Sequence, residues 1–305
     1  MILVFILYAL FAAVFTISKE ALFYAAPFFL VGVRMVIAGL AILALFWFQK
    51  KEKATLSKKQ WGKIALLALF NIFLTNTLEY WGLKYLTAFK TCFLYSLSPF
   101  LSAFFSYLFL SERMNGKKWL GLIVGFIGLI PILLSQTTLE EQAGKLFCFS
   151  WAEIAVLIAV CSSVAGWVIL RDLVHYERVN SLVANGLSMI LGGLFALGES
   201  ALFEDWHPLP VSSFWPFLIT SALLIIVSNG ICYNLAAHIL KRVSATFFSF
   251  AGLTTPLFTA LFGYLAHGEV PSWAFWGSYL VILCGLFIFY HEEMQKSEKG
   301  AMVAS

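Results

Sequence analysis

Charged residues are scarce in this sequence and make up only 12% of its 305 residues. A soluble domain usually has about a quarter of its residues charged, so this composition excludes an ordinary soluble fold. Hydrophobic residues reach 61% and lie in successive apolar stretches separated by short polar loops. A membrane-spanning helix needs about 20 mostly apolar residues. The sequence therefore predicts an all-α membrane protein, and no loop is long enough for a separate soluble domain.

The residue groupings that carry enzyme chemistry are also missing. The five cysteines are scattered, mostly within apolar stretches, and none has the spacing of a disulfide framework or a metal site. No Gly-x-x-x-x-Gly-Lys-Ser/Thr loop is present, which excludes direct use of ATP. We therefore expect no enzyme activity, no catalytic residues, no metal, no cofactor and no nucleic-acid partner. The expected partners are membrane lipids and a small-molecule substrate.

The apolar stretches predict ten membrane-spanning helices. Their approximate bounds are 2–17, 27–48, 64–83, 88–110, 119–134, 152–170, 181–197, 214–240, 245–266 and 273–290. The first stretch lacks a basic leader and a small-residue cleavage site, so it is interpreted as a spanning helix rather than a removed signal. Residues 292–305 are expected to form a cytoplasmic tail.

The distribution of lysine and arginine predicts the orientation in the membrane. If the N-terminus is cytoplasmic, the inner loops hold 15 basic residues and the outer loops hold 4, with Arg34 inside a helix. Cytoplasmic loops of membrane proteins carry such an excess. We therefore expect a multi-pass protein of the cell inner membrane with both termini in the cytoplasm.

The two halves of the chain share an ordered set of features. A shift of 157 residues brings together Pro99 and Pro256, Glu112 and Glu269, Trp119 and Trp276, and Gly128 and Gly285. A shift of 152 residues matches Phe15 with Trp167. Each half has five predicted helices, an odd number, so the second half enters the membrane inverted. The sequence thus predicts two inverted repeats, residues 1–135 and 151–291, as in many secondary transporters with a site between the halves.

These features resemble the drug/metabolite transporter superfamily in its ten-helix, EamA-type branch. The motif residues are Pro99, Glu112, Arg113, Gly121 and Gly128, with Pro256, Glu269 and Gly285 as their partners. The chain departs from the pattern at Ser278, opposite Gly121, and lacks an arginine opposite Arg34. The resemblance implies a cavity lined by predicted helices 1–4 and 6–9, and alternating-access transport of a small polar metabolite.

Residues 76–112 also resemble the S-adenosylmethionine transporters of intracellular bacteria. This resemblance makes exchange of S-adenosylmethionine for S-adenosylhomocysteine the first hypothesis. An exporter of amino acids or related metabolites is the alternative, because these substrates share the amine and the carboxylate. A membrane enzyme or a scaffold is a remote alternative.

Ionisable residues within a membrane helix are costly and are therefore candidates for function. Arg34 lies near the middle of the second predicted helix, where its planar guanidinium group suits a substrate carboxylate. Alternatively, it pairs with an acid or with helix-end carbonyls and fixes the bundle.

Glu79 lies in the outer half of the third predicted helix. It would attract a cationic group or a proton, or it is an interfacial acid near Lys84.

Further candidates share faces of the predicted helices. Asn76, Glu79 and Tyr80 fall on one face of the third predicted helix. The 157-residue shift matches Asn76 with Tyr233 on the eighth predicted helix. Asn229 precedes Tyr233 by one helical turn and is a candidate on the same face. The aromatic candidates for the cavity wall are Tyr8, Phe11, Phe15, Tyr95, Trp167 and Phe250. Such rings stack on planar ligands and hold sulfonium or ammonium groups; the alternative is packing or lipid contact.

Two prolines interrupt predicted helices in mid-span. Pro99 and Pro256 each remove a backbone donor and predict kinks that shape the cavity wall. A hinge at each proline is the further hypothesis.

The Gly121-x-x-x-Gly125 pattern permits close helix packing. We expect this packing within a monomer, with a dimer as the alternative.

Overall fold

The computed structural model describes residues 2–48, 56–110, 116–134, 138–147, 149–242, 248, 251–267 and 273–303. The elements in chain order are α1 Ile2–Ala21, α2 Pro27–Phe48, α3 Lys58–Tyr85, α4 Ala88–Tyr95, α5 Ser98–Leu110, α6 Gly116–Leu134, α7 Thr138–Gln142, β1 Lys145–Leu146, β2 Phe149–Ser150, α8 Trp151–Tyr176, α9 Ser181–Phe203, α10 Phe214–Leu240, α11 Thr255–His267 and α12 Trp273–Val303. The strands β1 and β2 form an antiparallel hairpin. The remaining described elements are helices.

Six of the described helices are long and apolar enough to cross a membrane: Leu3–Ala21, Pro27–Phe48, Lys58–Tyr85, Trp151–Tyr176, Ser181–Phe203 and Phe214–Leu240. A shorter apolar stretch covers Trp273–Ile288. Many large apolar side chains of these helices are exposed, including Leu40, Leu194 and Ile219. Exposed apolar surface on this scale suits contact with lipid rather than water. The fold is that of a helical membrane protein.

Several predicted helix bounds are wrong in detail. Helices α2 and α10 have the predicted limits, whereas α1 and α9 extend to Ala21 and Phe203. Helix α3 begins at Lys58 rather than 64 because Ser57 caps it in a capping box with Gln60. The final helix continues to Val303 through most of the predicted tail.

The predicted helix at 88–110 is instead two helices, α4 and α5, separated by a turn at Ser96 and Leu97. Pro99 is the second residue of α5, where the missing backbone N–H is tolerated. The Ser98 hydroxyl donates to the Tyr95 carbonyl at 2.6 Å. Pro256 occupies the same place in α11, directly after a 3₁₀ turn at Gly252–Thr254. Both prolines therefore stand at interruptions of the helical path, and their role as hinges stays a prediction.

Helices α3 and α10 each contain a π-helical segment, at Ala68–Leu74 and Ile225–Cys232. The segments begin 157 residues apart, which is the repeat spacing in the sequence. A π segment changes the hydrogen-bond register from four to five residues and frequently marks a functional site. These segments determine which side chains of α3 and α10 point toward the same space.

The close packing predicted for the glycines of α6 occurs within the chain. A Cβ atom placed on Gly285 of α12 would lie 2.7 Å from the backbone nitrogen of Gly125 on α6. Helices α2 and α9 approach as closely, since a Cβ on Gly39 would lie 2.7 Å from the Gly186 carbonyl oxygen. Small residues at such contacts let two membrane helices meet backbone to backbone.

Candidate substrate cavity

A cavity of about 810 Å³, part of it open to solvent, lies between helices from both halves of the chain. Its polar and aromatic lining consists of Tyr8, Phe11, Phe15, Arg34, Asn71, Thr75, Asn76, Glu79, Tyr80, Tyr95, Ser98, Ser163, Trp167, Ser228, Tyr233, Phe248 and Thr255. Charged, amide, hydroxyl and aromatic groups thus converge on one space.

Arg34 of α2 is buried in the cavity wall, with 1% of its surface exposed. Its Nη1 donates to the Tyr80 hydroxyl and its Nη2 donates to Asn76 Oδ1 at 2.8 Å. The Tyr80 ring lies under the guanidinium group, 4.7 Å from Cζ to the ring centroid. Within the described part of the chain, Nε has no hydrogen-bond partner. Among the described residues, Arg34 therefore donates to neutral groups, and neither an acid nor a helix-end carbonyl accepts a hydrogen bond from it.

The partners of Arg34 are themselves fixed by their neighbours. The Asn76 amide donates to the Ile72 carbonyl at 2.9 Å and to the Tyr233 hydroxyl at 3.2 Å. The Tyr80 hydroxyl lies 2.5 Å from Ser18 Oγ on α1. These bonds connect α1, α2, α3 and α10 around one guanidinium group. A network in which each member has a partner gives the group a defined position.

Glu79 of α3 is buried, with 9% of its surface exposed. Its carboxylate accepts a hydrogen bond from the Tyr95 hydroxyl of α4. Among the described residues Glu79 forms no salt bridge with Lys84, whose Nζ lies over the Tyr85 ring, 5.7 Å from its centroid. Arg34 acts on Glu79 through space, but the two form no ion pair among the described contacts. An ionised carboxylate here gains from a cation placed beside it.

Aromatic rings form another part of the wall. The Trp167 ring lies 5.7 Å from that of Tyr233 and 5.2 Å from that of Phe248, centroid to centroid. The Tyr8 hydroxyl donates to the Phe248 carbonyl at 2.5 Å. This contact joins α1 to the second half of the chain. The rings present flat apolar surface on which a planar group can stack.

The structure places most of the predicted site residues around this one cavity: Phe15, Arg34, Asn76, Glu79, Tyr80, Tyr95, Trp167 and Tyr233. Phe250 lies outside the described residues. Pro99 and Pro256 are buried next to the lining residues Ser98 and Thr255. The lining also includes residues that the prediction missed.

Asn229 is not among the lining residues, and its amide donates to Met35 Sδ at 2.9 Å. The prediction assumed an α-helical turn, which would bring Asn229 and Tyr233 to one face. In the π segment the register is five residues, so Ser228 lines the cavity with Tyr233. The same spacing in α3 brings Asn71 to the cavity with Asn76.

The repeat spacing could have found several of the missed residues. Asn71 and Ser228 are 157 residues apart, as are Ser98 and Thr255, and all four line the cavity. A search for polar residues that match each other at this spacing would have brought these four positions into the prediction. Phe248 also lines the cavity, but the repeat spacing does not match it with another lining residue.

A buried ion cluster lies apart from these lining residues. Lys90 Nζ of α4 is 2.8 Å from Glu140 Oε1 of α7 and 2.7 Å from Glu153 Oε1 of α8. The side chains are 5% exposed for Lys90 and 0% for both acids. The sequence analysis included Lys90 among the four basic residues of the outer loops, and the structure shows its side chain buried in this cluster. The cluster ties the segment between the halves to α4.

Polar contacts also hold the helix ends together. Lys19 Nζ donates to the Leu83 and Leu86 carbonyls at 2.7 and 2.8 Å, at the C-terminal end of α3. Lys63, near the other end of α3, binds Asp172 and Glu177 beyond the end of the α-helical part of α8.

Comparison with known proteins identifies the family. The model of the EamA-like transporter family matches residues 1–134 and 150–291. The S-adenosylmethionine/S-adenosylhomocysteine transporter of Chlamydia muridarum is 37% identical over 299 residues, covering 96% of this chain and 92% of that protein. The transporter of the same name from Chlamydia trachomatis serovar D is 37% identical over 96% of this chain and 90% of its own length.

More distant relatives agree with this assignment. The uncharacterized transporter YoaV of Bacillus subtilis is 24% identical, with 86% of each chain covered. A solved structure titled "Crystal structure of protein" has a TM-score of 0.66 at 19% identity and covers 94% of this chain and 93% of its own, which shows the fold alone. The expected absence of enzyme activity is confirmed by relatives and a family that are transporters. The chain belongs to the EamA-like transporter family.

Proposed function

We propose that this protein exchanges S-adenosylmethionine for S-adenosylhomocysteine across the membrane. The observation that carries the proposal is the 37% identity to transporters of that name over 96% of this chain. The cavity supplies groups that match the chemistry of these two molecules. Both carry an amine, a carboxylate and a flat adenine, and S-adenosylmethionine adds a positive sulfonium.

Arg34 is proposed to bind the substrate carboxylate. Two of the five N–H groups of a guanidinium are used by Tyr80 and Asn76. The Nε–H and one N–H on each Nη remain, which is the arrangement for a bidentate bond to a carboxylate. The contacts to Tyr80 and Asn76 would keep the group oriented before the substrate arrives.

Glu79 and the aromatic wall are proposed to bind the other parts of the substrate. The Glu79 carboxylate would attract the sulfonium group, and Tyr95 would hold the carboxylate in place. Trp167, Tyr233 and Phe15 offer ring faces to the adenine and to the onium group. The cavity has the mixture of a few polar groups and many apolar ones that is usual in ligand sites.

We also propose the architecture of ten spanning helices in two inverted repeats, residues 1–135 and 151–291. The family model matches the chain twice over nearly the same ranges, which supports this division. Asn76 and Tyr233, 157 residues apart, are hydrogen bonded to each other. Such a bond is expected where a pseudo-twofold axis passes between repeats.

The proposal includes the orientation of the chain in the membrane, its oligomeric state and the places where it bends. The basic residues favour both termini in the cytoplasm of a bacterial inner membrane, with residues 292–305 after the last span. Packing of the α6 glycines against α12 within the chain supports a monomer. Opening of the cavity to alternate sides would bend the chain at the breaks before Pro99 and Pro256.

An amino-acid exporter is the second candidate. It is favoured by the presence of a buried cation and a buried acid in one cavity, which suits any zwitterion. The two candidates differ in their use of the aromatic wall, because most amino acids have no large planar group.

Counterflow in liposomes tests the proposal. Purified protein is reconstituted into vesicles loaded with unlabelled S-adenosylhomocysteine, and uptake of labelled S-adenosylmethionine is followed. We expect uptake only when the vesicles contain one of the two compounds. Protein-free vesicles and vesicles loaded with single amino acids are the controls. Counterflow with amino acids and none with S-adenosylhomocysteine would favour the second candidate.

A further inference from the structure

The two compounds of the proposed exchange differ in charge. S-adenosylmethionine carries a methyl group on sulfur and is one unit more positive than S-adenosylhomocysteine, whose sulfur is a neutral thioether. A carrier that binds both in one cavity must either move this charge across the membrane or compensate for it. The cavity contains a group that can compensate.

Glu79 is the one acid among the described lining residues of the cavity. Its carboxylate is buried, forms no ion pair among the described residues and accepts a hydrogen bond from Tyr95. A buried charge without a compensating partner is costly. A sulfonium beside Glu79 would provide that compensation, and without the sulfonium a proton would remove the charge.

Other charged and titratable groups around Glu79 are already engaged or neutral. The neighbours that act on it or share the cavity are Arg34 from α2, Cys92 and Tyr95 from α4, Tyr233 from α10, Tyr8 from α1 and Tyr80 of α3 itself. Lys19 of α1 binds backbone carbonyls at the end of α3. Lys90 of α4, Glu140 of α7 and Glu153 of α8 bind one another. Glu79 is therefore the group best placed to change its charge with the substrate.

We infer that Glu79 binds a proton when S-adenosylhomocysteine occupies the cavity and releases it when S-adenosylmethionine does. The inference rests on the proposed function. The exchanged species are then S-adenosylmethionine in one direction and S-adenosylhomocysteine plus one proton in the other. Arg34, ionised Glu79 and S-adenosylmethionine sum to +1, and Arg34, protonated Glu79 and S-adenosylhomocysteine also sum to +1. Exchange therefore moves no net charge.

Tyr95 is suited to both states of Glu79. Its hydroxyl donates to the Glu79 carboxyl group in the structure, and this bond suits the ionised form. A hydroxyl can also accept, so the protonated carboxyl could donate to Tyr95 without movement of either helix. Tyr95 is a positioning residue in this scheme, because it holds the carboxyl in both forms and carries no charge itself.

Measurement of the exchange equilibrium under imposed gradients tests the inference. Vesicles that hold S-adenosylhomocysteine receive either a potassium-valinomycin potential or a pH gradient, and the final distribution of both compounds is measured. The S-adenosylmethionine gradient (inside over outside) divided by the S-adenosylhomocysteine gradient should rise about tenfold per unit of interior acidification, since one proton leaves per exchange. A potential of 100 mV should leave the distribution unchanged. Exchange without proton movement would instead shift it about 50-fold at this potential.

Variants separate Glu79 from other acids. In Glu79→Gln we expect the effect of the pH gradient to vanish, with S-adenosylmethionine uptake reduced at least about tenfold. Glu20→Gln is the matched control, because Glu20 pairs with Tyr24 and does not line the cavity. If Glu79→Gln fails to fold, the wild-type equilibrium measurement still tests the movement of one proton per exchange. Exchange that responds to the potential overturns the inference alone, whereas absence of exchange of either compound overturns the proposed function.

Discussion

Replacement of Arg34 by lysine separates the charge of this residue from the geometry of its guanidinium group. In the structure the group donates from two different nitrogens, to Tyr80 and to Asn76, and is buried with 1% exposure. A lysine ammonium keeps the positive charge but is a compact point charge without the planar fork. It can satisfy the local partners or a substrate carboxylate, but not both with the same geometry.

The expected loss of affinity follows from the hydrogen bonds that the lysine cannot make to the substrate carboxylate. A hydrogen bond to a charged group contributes about 1.5–3 kcal/mol. Loss of one arm of a bidentate bond to the substrate carboxylate therefore weakens binding about 10- to 150-fold. Because the positive charge remains, we expect Arg34→Lys to weaken binding of S-adenosylmethionine and S-adenosylhomocysteine by similar factors.

Equilibrium binding of both compounds to purified protein in detergent measures this effect, together with thermal unfolding. A purely structural role for Arg34 would lower the melting temperature and leave the dissociation constants unchanged. Arg171→Lys is the matched control, since Arg171 contacts Tyr176 at an exposed helix end. Dissociation constants for Arg34→Lys within about twofold of the wild type would refute the assignment of Arg34 to the carboxylate.

Three further changes test the aromatic wall, the ion cluster and the helix packing. Trp167→Ala should weaken binding of both adenosyl compounds about 5- to 30-fold through lost stacking and cation–π contact, measured by the same binding assay, whereas Trp215→Ala, 71% exposed, should have no effect. Lys90→Met should destabilise the protein by about 3–5 kcal/mol because it leaves two acids buried without their cation; a change no larger than that of Lys145→Met, at an exposed pair, would contradict this. Gly285→Leu should lower the melting temperature through a clash with the Gly125 backbone, at a cost of about 1–3 kcal/mol. The control Gly277→Leu on the same helix meets nothing within 4 Å and should unfold like the wild type.

The helical membrane fold was accessible from the sequence because a bilayer imposes a simple rule on apolar length. The limits of α2 and α10 follow directly from their apolar stretches. The start of α3 does not, because its first turn is polar and depends on the Ser57 cap. The break between α4 and α5 was also hidden within one apolar stretch, although Pro99 marked its position.

The candidate cavity was predictable where the repeat or a buried charge gave a signal. Arg34, Glu79 and the pair of Asn76 and Tyr233 were found in this way. Asn229 was misplaced because the prediction used the α-helical period through a π segment. An apolar stretch of sequence carries no recognisable signal for a π turn. The Lys90 cluster was missed because its acids lie 50 and 63 positions further along the chain.

The two halves contribute unequally to the cavity. The repeat spacing of 157 residues places Ala236 opposite Glu79 and Ala237 opposite Tyr80. Among the described lining residues, both charged groups thus come from the first half, whereas the second half supplies Trp167 and Phe248. A cavity with full twofold symmetry would accept a substrate in two equivalent orientations. Under the proposed repeat, the unequal charge selects one orientation, with the amino-acid end of the substrate on the first half and its adenine against the second. The same asymmetry leaves one carboxylate to respond to the sulfonium, which is the condition that a one-proton exchange requires.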